Sequence, residues 1–159
     1  MDIAVVGVVA EVVGAVAVVV SLAYLAVQIR SNTREVKTEN VHRVTDSFNV
    51  LNLTLAADEE LAALWHKGSA SYEDLGDTEK ARFNFMWLSA FRIYDSLYYQ
   101  IQRGTGDETL WQTELETLKW LFSSPGTREW WRQQQFAFSP GFKEFIDQHV
   151  LKANETTAT

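Results

Sequence analysis

Apolar and polar positions divide the chain into two regimes. From Ile3 to Ile29, twenty-seven positions carry a single charge, Glu11. As a helix rising about 1.5 Å per residue, that run would be roughly 40 Å long, more than the ~30 Å hydrocarbon core of a bilayer. The pattern predicts a transmembrane helix over residues 1–30. A cleaved signal peptide is the competing reading, but it begins with basic residues and has a shorter apolar stretch. Here the start is acidic and the stretch is long.

Small residues in the run fall into step. Gly7, Ala10, Gly14, Ala17 and Ser21 follow a 3-4-3-4 spacing, a heptad seam that lets helix backbones approach closely in lipid, where packing drives association. Glu11 lies four residues after Gly7 and three before Gly14, so the acid shares the face of the seam. A carboxylate turned toward lipid costs a few kcal/mol, so Glu11 is expected to face a partner helix or a water-filled cavity. Two readings follow: the carboxyl is hydrogen-bonding glue between helices, or one glutamate per subunit forms a ring lining an ion or proton path.

After Ile29 the pattern turns amphipathic. No glycine or proline occurs between Gly14 and Gly68, so the helix is expected to continue as a stalk over 31–57, with Ser31-Asn32-Thr33 a weak break signal. Val41, Val44, Phe48, Leu51 and Leu55 recur at helical spacing, leaving Glu35, Glu39, His42 and Asp46 opposite. A helical domain is expected over 58–154 and a disordered tail over 155–159. Asp58 is a cap for Glu59–Gly68, and Asp77 opens a helix to about Arg103. That helix reads apolar nearly all round, which predicts a central position. Asp107 opens the next, and Ser124-Pro125 and Ser139-Pro140 mark two short final helices. The fold class is all-α: an apolar helix, a stalk and a small aromatic-rich bundle. Trp130, Trp131, Phe136 and Phe138 are expected in the core, with contact to a membrane surface or a partner as the alternative.

Charge sharpens this picture. All fourteen Lys and Arg lie from Arg30 onward with nineteen of the twenty-one acids, so that part carries −5 of the chain's −7. An acidic domain without a basic stripe repels a phosphate backbone, which argues against nucleic acid as a partner. Arg30, Arg34 and Lys37 follow the apolar run, so the N-terminus is expected outside and the large C-terminal part in the cytoplasm. Tyr24 and Gln28 suit the inner boundary. The chain has no cysteine, which removes disulfide and thiolate chemistry.

Candidate chemistry is sparse. Glu39-x-x-His42 has the spacing found in di-iron bundles, but those sites need a second such motif, which is missing. No nucleophile elbow or phosphate loop occurs. Glu114 and Glu116, two apart, face away from each other on a helix. Arg92 and Asp95, three apart among Phe91, Tyr94 and Tyr98, predict a buried polar pair, with a ligand-sensing pocket as the sharper alternative. No cofactor, metal or enzymatic activity is expected.

The apolar segment with "AEVVG", then "SLAYLAVQIRSNT", "YYQ" and "SPGTREWWRQQQFAFSPGF", resembles a widespread family of small, uncharacterised bacterial membrane-anchored proteins. The resemblance covers most of the chain and implies an inner-membrane anchor with a helical domain, but no catalytic residue. The expected function is a homo-oligomeric, single-pass protein whose Glu11 ring carries a monovalent cation or proton. A membrane-tethered regulatory or scaffolding module is the rival.

Overall fold

The computed structural model describes residues 3–152, and the surroundings of residue 7 and of residues 11–152. The tail expected to be disordered lies outside the described residues. Six α-helices follow one another: α1 (Ile3–Ala57), α2 (Glu59–Ala70), α3 (Asp77–Gln102), α4 (Glu108–Ser123), α5 (Pro125–Gln134) and α6 (Pro140–Phe145). A 3₁₀ turn, Gln135–Ala137, precedes α6, and a π-helical segment, Ile146–Leu151, follows it. Among the described residues there is no strand, and the all-α class holds.

Helix α1 runs through Ser31-Asn32-Thr33 without a break. Thr33 and Thr38 donate their hydroxyls back to the carbonyls of Ile29 and Arg34, at 2.9 and 3.1 Å. Such back-bonding competes mildly with the helical ladder, and α1 tolerates it. The chain nevertheless forms two compact units, residues 1–39 and 40–159. In the first unit every described side chain from Glu11 to Val36 is exposed.

The second unit begins at Asn40, not at Asp58 as the pattern suggested. The stripe read as one face of a stalk is a packing face: Val44 is buried, and Phe48 and Leu51 pack against the core. The Phe48 ring lies 5.0 Å from that of Tyr94 on α3. Asn40 donates to the carbonyl of Thr105, fastening the same stretch of α1 to the turn after α3.

Helix α3 is central, as expected, burying Phe83, Trp87, Ala90, Phe91, Tyr94 and Leu97. It is not buried all round. Phe85 is 71% exposed and Tyr99 53%, so one face meets solvent. Around α3 the rings form one cluster in which Phe91 touches Trp87, Trp130, Trp131, Phe122 and Phe138. Each fully buried Phe contributes about 1.5–3 kcal/mol, and offset or edge-on ring pairs add to that. Surface ion pairs contribute little beside this burial.

Helix ends follow local chemistry. Asp58 and Asp107 accept from Leu61 N and Leu110 N at 3.0 and 2.9 Å, as N-caps should. Asp77 is the first residue of α3 and not its cap; Glu79 reaches back to the N–H of Gly76 at 2.9 Å. Gly68 does not end α2, which runs on to Ala70. It is buried because the Phe83 ring lies over it, where a Cβ would collide. Gly104, at φ +69°, makes the turn that stops α3.

Candidate functional site

The charged residue of the apolar run and the small residues beside it lie together on the first unit. Gly7, Glu11, Gly14, Ala17 and Ser21 are all exposed. Ala10 falls outside the residues whose side chains are described. A Cβ added at Gly7 or Gly14 would meet nothing within 4 Å, so the backbone is open there to whatever packs on it. Ser21 turns its hydroxyl back onto the carbonyl of Ala17 at 2.8 Å, which keeps the seam smooth.

Away from the seam, Val12, Val13, Val16, Val19 and Val20 are 57–65% exposed. The helix contains an 18-residue window of mean hydropathy 2.4, none of it buried. By length and composition it is able to cross a bilayer. A core helix of a soluble protein passes the same test but is mostly buried; this one is bare. Water is a poor solvent for so much contiguous apolar surface, and a lipid or protein environment relieves the cost.

The polar residues of the segment are not scattered around it. In seven-residue register, Gly7, Gly14, Ser21 and Gln28 occupy one position, and Ala10, Ala17 and Tyr24 the position three residues on. Glu11 flanks both. Glu11, Ser21, Tyr24 and Gln28, the polar side chains between Glu11 and Ile29, therefore share an arc of about 100° when the helix is wound at 3.5 residues per turn. Reading Tyr24 and Gln28 only as boundary residues missed this phase.

The bundle places its polar groups differently from expectation. Arg92 is exposed, while half-buried Asp95 accepts from Ser139 N and Ser139 Oγ at 3.0 and 2.6 Å. The structure does not bring Arg92 and Asp95 together as a buried pair. Ser139 Oγ in turn accepts from Phe142 N at 3.3 Å, so Asp95 fixes the cap that starts α6. A carboxylate three residues from an arginine on one helix suggested a local pair; the partner forty-four residues away was stronger because it offers two donors at once.

Glu114, set aside because it faces away from Glu116, has its neighbour on another helix. It sits on the inner stripe of α4 with Trp111, Leu115 and Leu118, and the Tyr94 hydroxyl on α3 faces it. Burial raises the Glu114 carboxyl above its ordinary range, opposed by the tyrosine hydroxyl. Burial first, then the Glu114 charge, raises Tyr94. The apolar spacing of α4 was the signal that put Glu114 inside. Asn84 is another inner polar residue, its Oδ1 accepting from Tyr72 Oη at 3.0 Å and Trp130 Nε1 at 2.9 Å. Glu129 accepts from the N–H groups of Tyr72 and Glu73 at 2.8 and 3.2 Å. Each of these contacts ties one element of the bundle to another.

His42, His66 and His149 are exposed, and His149 stacks on Phe145 at 4.9 Å. Among the described residues no three His, Asp or Glu side chains are grouped to hold a metal. The bare helix with Glu11 on its seam is the feature with most chemical consequence. Comparison with protein-family models, curated proteins and solved structures gives no match.

Proposed function

We propose that the chain is a single-pass bacterial inner-membrane protein, with its N-terminus outside and its aromatic bundle in the cytoplasm. Copies associate through Gly7, Ala10, Gly14, Ala17 and Ser21, bringing one Glu11 per copy into a ring that passes a monovalent cation or a proton. The observation that carries this reading is the exposed apolar helix whose one charge shares a face with its small residues. Valine surface suits acyl tails, and small residues allow close backbone approach. A carboxylate among helices is costly unless neighbours or water receive it.

Reconstitution tests the proposal. Liposomes holding the full chain should pass monovalent cations or protons, and Glu11→Gln should change the flux. A Gly14→Leu side chain would stand in the seam, so the particle in mild detergent should fall to smaller species. The second reading, a membrane-tethered scaffold with Glu11 only joining helices, is favoured by Trp120 and Phe136. These rings stand 66% and 75% exposed on the bundle, where a partner would cover them. Intact assembly without flux would select it.

A further inference from the structure

The spacing of polar residues along the bare helix carries information on depth. Arg30 follows Ile29 directly, with Arg34 and Lys37 in the next two turns. Nineteen residues separate Glu11 from Arg30, about 28 Å along a helix and close to the ~30 Å hydrocarbon thickness. The apolar run from Ile3 is longer than a helix along the bilayer normal needs, so in that orientation a surplus emerges from the hydrocarbon.

Centring Glu11 would push the surplus out at the Arg30 end. Leu22, Leu25, Val27 and Ile29, each 51–66% exposed on the bare helix, would then stand in water. It would also place the carboxylate at the depth where a charge costs most. Seating Ile29 at one rim moves the surplus to residues 3–10, takes the carboxylate away from the midplane, keeps the three cations among headgroups, and carries Glu11 to the opposite rim. Gln28 then lies at the Arg30 rim on the same stripe as Ser21, Gly14 and Gly7, seventeen residues from Glu11.

We infer that Glu11 opens to the aqueous phase on the side remote from Arg30, with Gln28 its polar counterpart at the Arg30 rim of the same stripe. The intervening stripe carries no charge: Gly14 and Ala17 follow Glu11, and then Ser21 and Tyr24 lead to Gln28. This rests on the proposed membrane assembly, of whose seam Gly14, Ala17 and Ser21 then lie within the hydrocarbon and Gly7 and Ala10 at the rim. It gives the assembly a direction: Glu11 takes its proton or monovalent cation from the phase opposite the cationic flank. Gln28, uncharged, is the last seam residue before Arg30.

The chain's lack of cysteine makes the test direct. Glu11→Cys, Ala17→Cys, Gln28→Cys and Lys37→Cys are made one at a time in the full chain. Each is exposed in oriented membrane vesicles to a charged, membrane-impermeant thiol reagent, since modification requires a water-accessible thiolate. Lys37→Cys marks the Arg30 face. Glu11→Cys should react only from the other face, at least about tenfold faster than Ala17→Cys, and Gln28→Cys only from the Lys37 face. A Glu11→Cys thiol as slow as Ala17→Cys, or one reached from the Lys37 face, overturns the assignment. Disulfide cross-linking at Gly14→Cys reads association separately: no cross-link with sided labelling intact removes the ring and leaves the depth. Equal labelling of all four positions from both faces removes the membrane span itself.

Discussion

Asn84 shows how much one side chain settles. Its Oδ1 is the acceptor for Tyr72 and for the indole of Trp130, which is fully buried. Asn84→Ala leaves a buried indole N–H without a partner and should cost about 1–3 kcal/mol, read as a lower urea midpoint by far-UV circular dichroism. Asn84→Asp, which keeps the acceptor, should lose less. Gly126 sets a harder limit, because a Cβ there would run into the carbonyls of Gly68 and Ser69. Backbone cannot swing aside as a side chain does. Gly126→Ala should therefore destabilise by about 1–3 kcal/mol or more, while Gly7→Ala, in open space, should leave the bundle's midpoint unchanged.

Glu114 adds a pH dependence whose sign is fixed by its raised carboxyl. Below the ordinary carboxylate range the group is protonated folded and unfolded, and its contribution is fully present. As pH rises through the raised native value, the unfolded chain ionises more readily and stability falls. Glu114→Gln removes that loss. The variant should exceed the parent at neutral pH, and the gap should close as pH is lowered into the ordinary carboxylate range. A gap that widened on acidification would reverse the assignment.

At the level of elements, Asn40–Ala57 is the informative stretch. Its apolar spacing was plain, and so were the Asp58 and Asp107 caps, because both depend on neighbours a few residues away. The sequence could not say what the stripe packs on, and so left the bundle starting at Asp58. Val44 instead shares a buried cluster with Leu97 and Trp111. A fragment of residues 40–152 should unfold cooperatively and stay in solution. One beginning at Asp58 lacks Val44, Phe48 and Leu51 and should melt at a clearly lower temperature or not fold. The same contrast explains Asp95. A partner three residues away can be read from spacing, whereas Ser139 is brought near only when α3 and the loop before α6 pack. Gly68 likewise reads as a stop signal until the Phe83 ring is seen to occupy the place of its side chain.

The intact molecule couples a bare apolar helix to an acidic bundle, and its handling should betray both. The full chain should need detergent or lipid to remain dispersed, whereas residues 40–152 should not; a full chain soluble in plain buffer would remove the membrane reading. The long apolar helix was legible from the sequence because length and hydropathy are additive along one helix. The bundle's polar ties were not, because they join residues far apart in the chain.

All six indoles belong to the second unit, at positions 65, 87, 111, 120, 130 and 131. Trp65 stacks on Trp87 at 4.4 Å, and Trp87, Trp130 and Trp131 are wrapped in other rings. Tryptophan emission, excited where tyrosine does not absorb, is therefore silent about the apolar segment and speaks only for the bundle. Iodide should quench the red edge contributed by Trp120, 66% exposed, and spare the blue-shifted remainder. A spectral change on adding vesicles would report the bundle touching headgroups, a signal separable from insertion of the helix.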